Sequence, residues 1–486
     1  MIQPDFFQTG PQLENTFTSD EVLRTYLDKI LPDSAKSEIT AHLTRVGRKA
    51  AGEWLMWSEQ AEANKPTLEQ FDEWGRRIDR INLSDGWKSL EKAAAAEGIV
   101  ATAYERKFGE FTRVYQMALL YLYHPSSAFF SCPLAMTDGA ARTLELYGPA
   151  HLKTSFDNLT SRDPQKFWTS GQWMTERTGG SDVSGTSTVA EKRPDGCYSL
   201  TGTKWFTSAT TSQMALTLAR IKTGDDFQKG LSLFYLEQNN IEVHRLKNKL
   251  GTDALPTAEL SLCGTKATLI GKEGEGVKTI AGVLNITRLY NSVCSLGHMR
   301  RALDLAQNYS TKRKAFGAYL NEHALHRKTL NDLEMTFKKS FKLTFHVIEL
   351  LGRDEAGLAT DNEKRVLRAL TPIAKLYTAK KSVAVCSEVV ECFGGAGYVE
   401  NTGIPRLLRD AQVFSIWEGT TNVLALDFLR ACEKENALQA IGQFFESKNK
   451  LDLIQTNKRR AWGDVALARE NCFSLCEEII ESLRPS

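Results

Sequence analysis

Apolar residues change their spacing twice along this chain, and that double change limits the fold more than any other feature. From about Asp20 to Thr160 they recur at three and four residues, as in Val22, Leu23, Tyr26, Leu27 and Ile30, and again in Tyr115, Leu119, Tyr121 and Leu122. That is the period of helices burying one face. Near Asp163-Pro164 and Gly171 the pattern breaks. From there to about Gly271 the residues are β-branched and aromatic in short stretches such as Tyr198-Ser199-Leu200, Leu231-Ser232-Leu233-Phe234-Tyr235 and Glu259-Leu260-Ser261-Leu262, with Pro194-Asp195-Gly196 as a turn between two of them. Helical spacing returns at Val277, Ile280, Val283 and Leu284 and continues around Thr329 to Leu351 and Glu363 to Cys392. Helices and strands segregated in this way predict an α+β multidomain chain, helices then β then helices, and exclude the alternating units of a doubly wound sheet. With 486 residues there is length for about three folding units.

Charge and composition exclude more. The 61 Lys+Arg nearly balance 59 Asp+Glu, a net charge of +2, so no global basic footprint speaks for nucleic acid. No apolar run approaches the ~20 residues of a membrane span; Met117 to Tyr123 is among the longest. The N-terminus meets Asp5 and Glu14 before its first basic residue, Arg24, unlike a signal or transit peptide, so a cytoplasmic location is expected, with a mitochondrial one as the alternative if a leader has been removed. Nine scattered cysteines suit reduced thiols better than a disulfide framework. Cys472 and Cys476, one helical turn apart, read as a helix face, and the His323/His326 pair lacks a third ligand, so no metal is expected. Gly395-Ala396-Gly397 meets Glu400 where a dinucleotide fingerprint needs its third glycine, and Val277 stands where a phosphate loop needs lysine. No Gly-x-Ser-x-Gly elbow is present.

Three clusters remain as carriers of chemistry. Met174-Thr175-Glu176-Arg177-Thr178-Gly179-Gly180-Ser181-Asp182 combines hydroxyls with two adjacent glycines, a composition that lets backbone approach a ligand closely and that also makes a plain loop. Lys204-Trp205-Phe206-Thr207-Ser208 is either an aromatic wall for a planar cofactor or a strand with one buried face. The third runs from Phe393-Gly394-Gly395-Ala396-Gly397-Tyr398 through Leu407-Leu408-Arg409-Asp410 to Ser415-Ile416-Trp417-Glu418-Gly419-Thr420-Thr421-Asn422. A carboxylate such as Glu418, between an apolar pair and a glycine before a helix, can serve as a general base or simply complement the helix dipole.

These clusters, in this order, resemble the acyl-CoA dehydrogenase family, with its Thr-Glu-x-x-x-Gly-Ser-Asp, Trp-x-Thr/Ser and Glu-Gly-Thr motifs, over roughly residues 20 to 432. The doubled glycine Gly179-Gly180, the Trp417 before Glu418 and the stretch Gly75-Arg76-Arg77-Ile78-Asp79 look like its AidB-type branch. The resemblance implies an N-terminal helical domain (1–165), a middle β-barrel (166–272), a C-terminal four-helix bundle (273–432) and a helical extension (433–486). It implies FAD, met by Met174, Thr175, Ser181, Trp205 and Thr207, with Thr420 and Asn422 also on the cofactor. Arg313 and Phe316, in an Arg-x-x-Phe-Gly pattern, and Gly394-Gly395 would reach the FAD of a neighbouring subunit, so a homotetramer built as a dimer of dimers is expected. Glu418 would remove the α-proton of a medium- or long-chain fatty acyl-CoA while hydride passes to flavin N5; Ser181 and Arg288 would help hold the substrate. Three residues depart from the family pattern: Arg177 for proline, Glu391 for glutamine and Trp417 for tyrosine. The alternative is an AidB-like flavoprotein that binds nucleic acid or sequesters acyl-CoA with little turnover. Against nucleic acid, the 54 residues after Cys432 hold eight Lys/Arg and nine Asp/Glu, with Lys458-Arg459-Arg460 as their one basic triplet.

Overall fold

The structure, a computed structural model, describes residues 8–446 and 462–483; the Lys458-Arg459-Arg460 triplet and part of the C-terminal extension lie outside the described residues. The chain divides into two units, one from residues 54–106 and 126–290, the other from residues 8–53, 107–125 and 291 onward.

The first unit is built on strands. A hairpin of β1 (Thr67–Phe71) and β2 (Arg77–Asn82) interrupts the N-terminal helices of this otherwise helix-rich third. Its turn is closed by Asp72, whose carboxylate accepts from the backbone N–H of Trp74 and Arg76 and from Arg76 Nε, with Gly75 at φ +78°. Then follow β3 (Ser170–Gln172), β4 (Val189–Lys192), β5 (Tyr198–Ser208), β6 (Met214–Thr223), β7 (Asp226–Phe227), β8 (Ser232–Glu237), β9 (Ile241–Leu246) and β10 (Thr257–Ile270). The Pro194-Asp195-Gly196 turn joins β4 to β5, with Gly196 at φ +82°.

Pairing closes a ring. β6 runs parallel to β4, and β4–β5, β5–β10, β10–β8 and β8–β6 are antiparallel, so five strands form a barrel without a free edge among themselves. Trp173, Leu200, Phe234, Leu236, Leu260 and Leu262 are part of one apolar cluster. The opposite faces of β6 and β8, with Leu216, Leu218, Leu233 and Tyr235, join a second cluster that includes Leu144, Ile280 and Val283 of helices Ser131–Tyr147 and Gly276–Ser310. Burial on both faces explains why β6 and β8 read as nearly continuous apolar runs, not as alternation.

The second unit is helical. Its helices include Glu21–Ile30, Asp33–Ala51, Thr112–Tyr123, residues 291–310, Ala324–Glu355, Asp361–Cys392, Ile404–Phe414 and Thr421–Glu435. Asp361–Cys392 begins with a capping box in which Thr360 and Glu363 satisfy each other's backbone N–H. Bidentate Arg113 joins Glu355 at 2.6 and 2.8 Å, and Arg353 bridges Glu110 and Glu363. Cys472 and Cys476 are buried one turn apart on Ala468–Ser482, as a helix face requires. Among the described residues no helix is long and apolar enough to cross a membrane.

Candidate functional site

The β unit carries six of the expected site residues: Met174, Thr175, Ser181, Trp205, Thr207 and Arg288. The loop from Met174 is fixed from beneath by Glu176. This buried carboxylate accepts from Lys204 Nζ at 2.8 Å, from Ser187 N and Oγ at 2.6 Å each, and from Thr188 N and Oγ1 at 3.2 and 2.5 Å. Burial pushes Glu176 up, yet the Lys204 ammonium and the two hydroxyls outweigh it and hold the acid at about 2. Burial pulls Lys204 down against the attraction of Glu176. The asymmetry follows from the donor count, because among the described residues Lys204 Nζ makes one further bond, to Leu218 O at 3.1 Å.

Above this anchor the loop turns tightly, with Glu176 and Gly179 exchanging both backbone hydrogen bonds at 3.1 and 3.2 Å. Gly179 sits at φ +148°, and a Cβ on Gly180 would stand 2.7 Å from Thr175 Oγ1, so both positions need a bare backbone. Ser181 is exposed and Met174 is buried. Thr175 O accepts from Trp205 N at 2.9 Å, which ties the first cluster to the second.

The second cluster contains a β-bulge. Lys204 pairs with Leu260 and Thr207 with Ala258, so Trp205 and Phe206 together oppose the single residue Glu259. Neighbouring side chains on a regular strand point to opposite faces; a bulge lifts that rule. Both rings accordingly meet one cation, Lys247 Nζ lying 3.9 Å from the Trp205 centroid and 4.5 Å from that of Phe206. Arg177, the residue that replaces the family's proline, lies 5.8 Å from the Trp205 ring. Glu259 accepts from Lys247 at 2.5 Å and pairs with Arg245 at 2.8 Å. Thr207 is wholly buried and donates Oγ1 to Ala258 O at 2.9 Å. Arg288 is buried on helix Gly276–Ser310.

The helical unit carries the rest. Residues 415–420 link helix Ile404–Phe414 to helix Thr421–Glu435, and Glu418 is half-buried in that link at φ +56°, followed by Gly419 at φ +101°. Such left-handed backbone is rare for a side-chain-bearing residue and clusters at functional sites. Lys375, completely buried on helix Asp361–Cys392, donates to Trp417 O at 2.7 Å and to Gly419 O at 2.6 Å, the carbonyls on either side of Glu418. Asn291 Nδ2 adds a bond to Phe414 O at 3.2 Å. Thr420 is the N-cap residue of the following helix and Asn422 lies in its first turn.

Arg313 is exposed beside a small hairpin of β11 (Lys314–Ala315) and β12 (Ala318–Tyr319), whose two-residue turn is Phe316-Gly317 at φ +52° and +83°. Phe316 is fully exposed. Tyr309, at the base of this strap, stacks on Phe393 with ring centroids 4.5 Å apart, which places the strap beside the exposed Gly394-Gly395 segment. Sequence reasoning missed Lys204 and Lys375 as anchors and Lys247 and Phe206 as ring partners. The one available signal was an ammonium inside an apolar stretch, as at Ala374-Lys375-Leu376.

The loop and wall fit a flavin nucleotide in their chemistry. Hydroxyls at Thr175 and Ser181, side-chain-free backbone at 179–180, a Trp–Phe pair and cations at Arg177 and Lys247 suit a planar, anionic ligand. A helical domain, a closed β-barrel and a helical domain carrying the Glu-Gly-Thr link define the acyl-CoA dehydrogenase fold. Family models agree with it along the chain: the AidB N-terminal domain matches residues 9–164, the acyl-CoA dehydrogenase middle domain 171–264 and the acyl-CoA dehydrogenase C-terminal domain 274–432. Acyl-CoA dehydrogenase family member 11 of Caenorhabditis elegans is 47% identical over 459 residues, 91% of this chain and 74% of that protein. Among solved structures, the apo form of Bd2924 superposes with a TM-score of 0.95 at 59% identity, covering 98% of each chain. Caenorhabditis elegans ACDH-11 in complex with C11-CoA gives a TM-score of 0.95 at 42% identity, covering 99% of this chain and 89% of that one. The chain belongs to the acyl-CoA dehydrogenase family, in the branch with an AidB-type N-terminal domain, and is an enzyme of this FAD-dependent class.

Proposed function

We propose that this protein introduces an α,β double bond into a medium- to long-chain fatty acyl-CoA, with Glu418 as the base that takes the α-proton. The observation that carries the reading is the held state of Glu418: a half-buried carboxylate in left-handed backbone, its flanking carbonyls fixed by a buried lysine. A base must be oriented within hydrogen-bond reach of the proton it removes, and a fixed backbone supplies that orientation. The C11-CoA bound by the similar nematode protein supports a fatty acyl thioester of this length. FAD, when bound, supplies the acceptor for the hydride that leaves the β-carbon.

In this reading Met174, Thr175, Ser181, Trp205 and Thr207 hold the cofactor, with Thr420 and Asn422. Ser181 and Arg288 hold the substrate. Arg313, Phe316, Gly394 and Gly395 serve the cofactor of a neighbouring subunit in a dimer-of-dimers tetramer, for which the exposed Phe316 ring and the bare glycine pair are the support. The domain limits at 165/166, 272/273 and 432/433 belong to the same proposal. A cytoplasmic compartment, which nine cysteines without paired close spacing in the sequence favour, belongs to it as well. The test is anaerobic titration of the purified flavoprotein with acyl-CoAs of increasing length. Bleaching of the flavin that is lost in Glu418→Gln supports the enzyme, whereas spectral perturbation without reduction at every length identifies a sequestering protein instead.

A further inference from the structure

We infer that Lys375 is a positioning residue for Glu418, an inference that rests on the reading of Glu418 as base. The two carbonyls that Lys375 Nζ engages, Trp417 O at 2.7 Å and Gly419 O at 2.6 Å, bracket the one residue whose carboxylate must be aimed. An ammonium is buried at a high desolvation cost unless its donors are used. Here two are used on the backbone carbonyls that flank Glu418, so the cation fixes the chain conformation there. The conformation held is a strained one, Glu418 at φ +56° followed by Gly419 at φ +101°. The clamp comes from the long helix Asp361–Cys392, whereas Glu418 sits on a link between two other helices. The base is therefore fixed to one of the two 32-residue helices of the helical unit and not only to its own link.

Without the ammonium, two inward carbonyls lose their donor and residues 417–419 relax toward right-handed backbone, which turns the carboxylate away. Displacing a catalytic group by about 1 Å can cost on the order of 100-fold in rate. Substrate binding, which depends on other residues, is left nearly intact. The defect therefore lies in proton removal and not in affinity.

The experiment follows exchange of the α-proton of a non-oxidisable acyl-CoA analogue, with sulfur at the β-position, for solvent deuterium on the holoenzyme. Exchange moves a proton from the α-carbon to the base and returns a deuteron, so it reads the base without flavin reduction. Lys375→Met is expected to slow exchange about 100-fold, with the analogue's Kd by calorimetry changed less than about threefold. Gly419→Ala strains the same link without removing a charge, since its Cβ would meet Leu424 at 3.0 Å in a left-handed backbone. It is expected to show the same split, and it decides the matter should Lys375→Met fail to fold. Glu418→Gln is the reference: if it exchanges like the wild type, the reading of Glu418 itself fails. If Glu418→Gln loses exchange while Gly419→Ala and any folded Lys375→Met keep it within threefold, or lose affinity in parallel, the positioning role is overturned.

Discussion

Replacing Lys204 by methionine tests how the cofactor loop is held. The substitution keeps the apolar stem and removes the ammonium 2.8 Å from Glu176, both groups being buried in the barrel. Removing one partner of a buried ion pair costs about 3–5 kcal/mol, because the other charge is left unpaired. Glu176 retains donors from Ser187 and Thr188, so the lower end, about 3 kcal/mol, is expected. The acid's own titration gives a similar size. An ordinary 4.5 displaced to about 2 corresponds to about 3 kcal/mol at ~1.4 kcal/mol per pH unit. Since the folded value is depressed, this stabilisation is complete above about pH 4.5 and is lost as pH falls toward 2. The assay is urea unfolding of the holoprotein, read by flavin release and tryptophan fluorescence, for Lys204→Met, Glu176→Gln and the double variant. Flavin release should come first, since Glu176 anchors the loop that begins at Met174. The double variant should be more stable than the sum of the single losses implies, by at least ~1 kcal/mol. Additive losses, or a Lys204→Met protein that keeps its flavin and its midpoint, would refute the anchoring argument.

Two further predictions concern the loop and the helical unit. Gly180→Ala should weaken flavin retention by about 1–3 kcal/mol through overpacking against Thr175 Oγ1, measured as the flavin dissociation constant. Burial holds His298 neutral, pulled down to about 4 despite its bond to Leu407 O, so the unfolded chain takes up protons between about pH 6.5 and 4 that the folded one refuses. Stability should fall across that window as pH drops, and His298→Gln should flatten the slope in urea midpoints measured from pH 7 to 4.

Much of the architecture was legible because its periods differ: spacing of three and four residues marked the helices, and short β-branched stretches marked the strands. Closure of the barrel followed from the family resemblance and not from local spacing, since the parallel pairing of β6 with β4 joins segments that no local pattern relates. The hairpin β1–β2 was missed although its signals were present, an alternating Arg77–Asn82 and an Asp72-to-Gly75 turn, because it sits inside a helical third. At the site, motifs brought out Glu418, Thr175 and Trp205. The side chains that hold them, Lys375 and Lys204, reach across from distant segments, and a single lysine in an apolar run carries no address for its partner. The bulge at Trp205-Phe206 likewise depends on register with β10, which is fixed by pairing and not by either strand alone.

The most direct measurement is rapid anaerobic mixing of the holoprotein with a fatty acyl-CoA near eleven carbons, recording flavin absorbance for wild type and Glu418→Gln side by side. The account predicts bleaching in the wild type and a loss of at least about 100-fold in its rate in the variant, the low end for removing a residue that acts directly on the reacting proton. Equal bleaching in the two proteins would contradict it.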